Sequence, residues 1–124
     1  MQGTGKSKAG TIAVWVLSVL LAIVFLIAGV PKLLGAQGHV EHFARWGYPD
    51  WFRLVVGTVE VVSAILLMIP RLAYLGALSI AVIMVGATYT HVLRAPDEAG
   101  RVPLTLSLLA LAVLIAYARR PKPR

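Results

Sequence analysis

The sequence predicts an all-α integral membrane protein: a four-helix transmembrane bundle with a short interfacial helix between spans one and two. Two observations carry that expectation. Of the 124 residues, 59% are apolar and only 14% charged, well under the roughly 25% charged share of soluble domains. The apolar residues also fall into four runs of membrane-spanning length, bounded by prolines and basic residues, and a chain this short has room for one such domain.

The first run, Thr11 to Val30, contains no charge; at about 1.5 Å per residue it matches the ~30 Å hydrocarbon core of a bilayer. Lys6 and Lys8 precede it and Pro31-Lys32 follow. A signal peptide is the competing reading. The run is longer than the usual ~7–15 residue signal core, and Pro31 follows Ala28-Gly29-Val30, where cleavage would be needed.

Gly35 to Trp51 is the long polar stretch. Within it Val40, Phe43 and Trp46 recur at helical spacing opposite Glu41 and Arg45, the pattern of a helix lying at the water interface. Trp46, Tyr48 and Trp51 flank a Gly47/Pro49 turn and are expected as interfacial anchors. Span two covers 52–69, with Arg53 at its mouth and Glu60 near its middle. Pro70-Arg71 ends it, so span three, 72–93, must run antiparallel beside it. A charged loop, Arg94 to Arg101, leads to span four at 103–118, with Pro103 in its first turn. Residues 1–10 and 119–124 are expected as basic cytoplasmic ends flanking a membrane domain at 11–118.

The net charge of +7 would favour nucleic acid if the cations were clustered on one face. They sit instead at the ends of the apolar runs, where they meet headgroups and anionic lipids. Nucleic acid is therefore not an expected partner, and membrane lipid is. Lys6, Lys8, Arg71, Arg119, Arg120, Lys122 and Arg124 fall on one side of the four spans, and Lys32, Arg45, Arg53, Arg94 and Arg101 on the other. Cation excess marks the cytoplasmic side, so both termini are expected in the cytoplasm.

Helices in lipid associate through small residues and polar contacts, and each run carries such a seam. Ser18, Ala22, Phe25, Gly29 and Lys32 align on the first; Gly57, Glu60, Ser63 and Ala64 on the second; Gly76, Ser79, Gly86 and Thr90 on the third; Thr105, Ala112 and Ala116 on the fourth. Gly29, Gly57, Gly76 and Gly86 are the expected packing glycines.

Glu60 is the residue that packing alone leaves unexplained, since an unpaired charge near the midplane costs on the order of 3 kcal/mol on insertion scales. It shares the inward sector of its run, and Lys32, Thr90 and His91 close the first and third runs on the same side. These four form the candidate intramembrane polar site. Lys32 has two placements open, inward along the bundle or outward into headgroups, and snorkelling favours the second. His39 and His42 lie three apart on the interfacial helix, but a zinc site needs further ligands that the sequence does not fix. Gly3-Thr4-Gly5-Lys6-Ser7 echoes the end of a phosphate-binding loop without its earlier glycine or preceding strand. The chain has no cysteine, which removes thiolate metal sites and dithiol relays. No catalytic residue, metal or intrinsic cofactor is assigned.

Three blocks then stand out: Gly29-Val30-Pro31-Lys32-Leu33, Phe43-Ala44-Arg45-Trp46-Gly47-Tyr48-Pro49 and Gly57-Thr58-Val59-Glu60. In that order the chain, from about Trp15 to Ala118, resembles the DoxX-like family of small four-span bacterial membrane proteins. The resemblance implies a bundle in the inner membrane with both ends cytoplasmic, and an accessory role in redox or stress defence. Any electron transfer would then need redox partner proteins or a quinone bound between the helices. Two other readings compete. One is a small transporter or proton-coupled protein using Glu60; the other is an enzyme on a lipophilic substrate with Glu60 and His91 as acid and base.

Overall fold

A computed structural model describes residues 8–121, and every regular element in it is helical. Met1–Ser7 and Lys122–Arg124, with the phosphate-loop echo and most of the expected basic ends, lie outside the described residues.

Helix α1, Lys8–Leu34, continues through Pro31 and stops where Gly35 adopts φ +75°. The Gly35 N–H donates to the Lys32 carbonyl and the Ala36 N–H to the Pro31 carbonyl, at 3.3 and 3.0 Å. That pair of bonds is the glycine-terminated helix end that a left-handed residue permits. Helix α2, Gln37–Arg45, ends in the same way: Gly47 has φ +83°, and the Tyr48 N–H donates to the Phe43 carbonyl at 3.0 Å. Two abrupt stops thus fold a short helix back over the end of the bundle.

Helix α3, Asp50–Leu67, begins after Pro49 with Asp50 in its first turn, where a carboxylate complements the exposed N–H groups. A tight turn through Pro70 leads to α4, Ala73–Tyr89. The segment predicted as a plain charged loop is more ordered than expected. It opens with one widened turn, Thr90–Arg94, in which the Ala95 N–H reaches back to the Thr90 carbonyl at 2.8 Å. A 3₁₀ segment, Pro96–Arg101, then delivers the chain to α5, Val102–Arg119.

Helices α1 and α5, and α4 extended through Arg94, are long and apolar enough to cross a membrane. Helix α3 is as long as α5 but carries Asp50, Arg53 and Glu60. Helix α1 packs on α3, α3 on α4 and α4 on α5, while α5 touches α1 only lightly. The core is built from Leu21, Phe25, Ala64, Leu67, Ile80 and Ile115, each at most 1% exposed. Large apolar side chains such as Ile27, Val82 and Leu93 point outward at 65–72% exposure, the inverse of a soluble surface and the surface that lipid requires.

Candidate functional site

The site starts at the crossing of α1 and α3, where the two glycine-x-x-charge motifs prove to be reciprocal. A Cβ on Gly29 would stand 3.0 Å from the Glu60 Cβ and from the Gly57 carbonyl, and a Cβ on Gly57 would stand 3.0 Å from the Lys32 Cβ. Each glycine clears the stem of the other helix's charged residue. The backbones therefore approach closely, and the charges meet beside the crossing. The Lys32 ammonium lies 3.0 Å from Glu60 Oε1 and donates to the Ala28 carbonyl at 3.0 Å. Both residues are buried, at 9% and 4% exposure. The outward placement of Lys32 is thereby overturned: an unpaired Glu60 inside the bundle is costlier than drawing the lysine stem inward.

Arg53 reinforces the same corner. It is 6% exposed, donates to the Lys32 carbonyl at the end of α1 and pairs with Asp50 at 3.1 Å. A cation on the last carbonyls of a helix is favoured by its dipole.

Lys32 and Glu60 form part of the wall of a cavity of about 880 Å³, within the range of sites for small ligands. Most of that wall is apolar, with Phe25, Val56, Val59, Ile83 and Leu108 among its residues. His39, His42, Tyr48, Thr90, His91 and Arg101 supply its polar part. The widened turn explains how consecutive residues Thr90 and His91 can both be buried while Val92–Arg94 are exposed; such turns recur at functional sites. Thr90 Oγ1 donates to the Gly86 carbonyl at 2.9 Å and accepts from the Tyr48 hydroxyl at 2.7 Å.

A clasp closes α2 over this end. Glu98 accepts from Arg45 Nη2 at 2.9 Å and from Trp46 Nε1 at 3.2 Å, and its Oε1 lies 3.2 Å from His91 Nδ1. Arg94 donates to the Trp46 carbonyl at 3.0 Å and sits over the Tyr48 ring. Burial holds the His39 imidazole below its ordinary pKa, and the charges of Lys32, His42, Arg101 and Arg53 add to that depression. His39 is therefore neutral at pH 7.

The structure thus brings Lys32 and Glu60 into contact, and places Thr90 and His91 on the wall of the same cavity with partners of their own. Gly29, Gly57 and Gly76 all stand at close helix contacts. Gly86 does not: a Cβ there would meet nothing within 4 Å, and Gly86 lines the cavity instead. Of the three expected interfacial anchors, Trp51 is exposed at 62%, whereas Trp46 and Tyr48 turn into the cavity and the clasp. Sequence reasoning missed Arg53 and Glu98. The i,i+3 spacing of Asp50 and Arg53 is local, but the Lys32 carbonyl that Arg53 reaches is on another helix, and Arg45 and Trp46 stand more than fifty residues from Glu98.

Mostly helical, apolar on its outside and cavity-bearing within, with one ion pair buried between α1 and α3, the chain has the construction of a small helical membrane protein. It belongs to the DoxX-like family, whose model matches residues 16–115. That membership, with three apolar helices of spanning length, makes it a multi-pass membrane protein. It is 31% identical over 103 residues to "Uncharacterized protein YdgD" of Bacillus subtilis (strain 168), covering 80% of this chain and 90% of that protein. It is 26% identical over 90 residues to "Putative oxidoreductase CatD" of the same organism, covering 73% of this chain and 67% of that one. No solved structure matches it.

Proposed function

We propose that all four long helices span the membrane with both termini in the cytoplasm, that α2 lies at the opposite interface, and that the protein is a ligand-binding accessory subunit of a membrane redox system. The ligand is a quinone or another lipophilic molecule with a polar head, held in the 880 Å³ cavity with its head among the polar groups of a wall that Lys32, Glu60 and Thr90 help to form. One observation carries this reading: an apolar cavity of ligand size whose polar groups are gathered from all five α-helices. The redox association is supported by the family and by the relative named as an oxidoreductase. With no cysteine in the chain, electrons would come from partner proteins.

Transport through Glu60 has less support. Its charge is matched by Lys32 at 3.0 Å, and no other acidic residue lies inside the described helices beyond their first turn except Glu41 of α2. The test of the proposal is mass spectrometry of quinones, lipids and proteins copurifying with the wild type and with a Lys32→Met/Glu60→Met double variant, which removes both charges together. A lipophilic ligand retained by the wild type and lost from the double variant is the expected result. No ligand on either protein, or the same ligand on both, contradicts it.

A further inference from the structure

The full charges on the cavity wall do not balance: Lys32 and Arg101 stand there with Glu60 alone. Lys32 is matched by Glu60, Arg53 by Asp50 and Arg45 by Glu98. Arg101 also lines the cavity, yet among the described residues its side chain has neither an ion pair nor a hydrogen bond. His39 and His42 line the same cavity, and His39 lies within electrostatic reach of Arg101 and of His42. Glu60, the one acid on the cavity wall among the described residues, is engaged by Lys32, and Glu98 by Arg45; Glu41, Asp50 and Asp97 stand outside that wall. What remains is a positive charge without an ion-pair partner at the rim of an apolar cavity, with the His39 and His42 imidazoles on the same wall.

We propose that the ligand is a single-tailed amphiphile with a carboxylate head, seated with its head against Arg101, His39 and His42 and its tail along Val55, Val59, Val82 and Leu104. This rests on the reading of the cavity as a ligand site and names the ligand's class. A planar guanidinium suits a carboxylate, which it can bind through two parallel hydrogen bonds. Size selects the single tail: at roughly 30 Å³ per non-hydrogen atom, the share a water takes in the liquid, 880 Å³ holds one chain and a head but not a diacyl lipid. The tail has a way in, because Val82 and Leu104 stand at the rim with 72% and 60% of their surface exposed.

The experiment uses the intact protein in neutral detergent, with Trp15→Phe and Trp51→Phe leaving Trp46, on the cavity wall, as the sole tryptophan reporter. Three probes are titrated by fluorescence quenching: a long-chain fatty acid carrying a nitroxide on its tail, its methyl ester, and a neutral short-tailed quinone. The acid is expected to bind at least tenfold more tightly than the ester. Arg101→Gln should reduce the acid to the level of the ester and leave ester and quinone unchanged, and Arg101→Lys should keep most of the preference. Arg120→Gln, an exposed cation at the opposite end of α5 from Arg101, should change nothing. The proposal is overturned if acid and ester bind alike, if Arg120→Gln acts as Arg101→Gln does, or if excess diacyl anionic phospholipid displaces the acid. If ester or quinone saturates without any preference for the acid, this inference fails and the cavity remains a ligand site. If no probe saturates, the ligand-site reading itself fails.

Discussion

Two glycines on one helix, Gly76 and Gly86, separate the two ends of the molecule. At Gly76 a Cβ would stand 2.7 Å from the Ser63 carbonyl and 2.9 Å from the Leu67 nitrogen, so α3 and α4 touch backbone to backbone. Ten residues on, about 15 Å along the axis, Gly86 faces open space on the cavity wall. Around Gly76 the bundle is closed by Ala73, Ala77 and Leu67, all fully buried. Around Gly86 it is held by polar clasps that leave an interior volume. A stripe of small residues is thus two devices: one end brings helices together, and the other gives up side-chain volume to a cavity.

The sharpest way to break that contrast is at the ion pair on the cavity wall. Lys32→Ala or Glu60→Ala leaves one buried charge without its partner, which costs about 3–5 kcal/mol, whereas Lys32→Met with Glu60→Met should recover most of it. Unfolding in detergent measures all three. Additive losses in the double variant would mean that the pair is not coupled as its 3.0 Å separation implies.

The clasp comes next. Glu98→Gln weakens the contacts to Arg45 and His91, and with Arg45 itself 57% exposed the loss is about 1–2 kcal/mol. Hydrogen exchange should quicken by about tenfold in α2 and in residues 90–101 while α4 near Gly76 is unaffected. Equal acceleration at both ends would show that the clasp belongs to the global fold.

The smallest effect is one of pH. Because the folded-state pKa of His39 lies below 6.5, the unfolded chain binds a proton first as pH falls. This residue's contribution is constant above about 6.5 and declines below it toward the folded value. Thermal stability should accordingly drop between pH 7.5 and 5.5, and His39→Gln should flatten the drop. A stability that rises on acidification would contradict the burial of a neutral imidazole there.

How much was legible in the sequence follows from the range of each interaction. Helices α1, α4 and α5 could be read from run length, because spanning a bilayer demands continuous apolar residues, whereas α3, interrupted by Arg53 and Glu60, is not apolar enough to meet that measure. The buried seams of α1, α3 and α5 followed from helical periodicity, and Ser18, Phe25, Ser63 and Ala112 lie buried as that periodicity requires. Gly86 failed the same reasoning because periodicity fixes a face and not what stands opposite it. Lys32 could not be settled by composition, since its stem reaches either way; the glycine at position 57 on another helix decides it. Glu98 looked like an ordinary loop acid because Arg45 and Trp46, its partners, are more than fifty residues away.

The central claim, that one end of the bundle is packed and the other is a ligand site, is tested most directly by making the same substitution at both. Gly76→Leu and Gly86→Leu are each assayed for thermal stability and for occupancy by the tail-labelled amphiphile. Gly76→Leu is expected to disrupt the α3–α4 contact and to lower stability by about 3 kcal/mol or more. Gly86→Leu should keep or slightly raise stability, as expected for replacing a helical glycine, and should exclude the amphiphile by filling the cavity. If Gly86→Leu destabilises the protein as much as Gly76→Leu does and leaves occupancy unchanged, the two ends do not differ as described and the cavity is not the binding site.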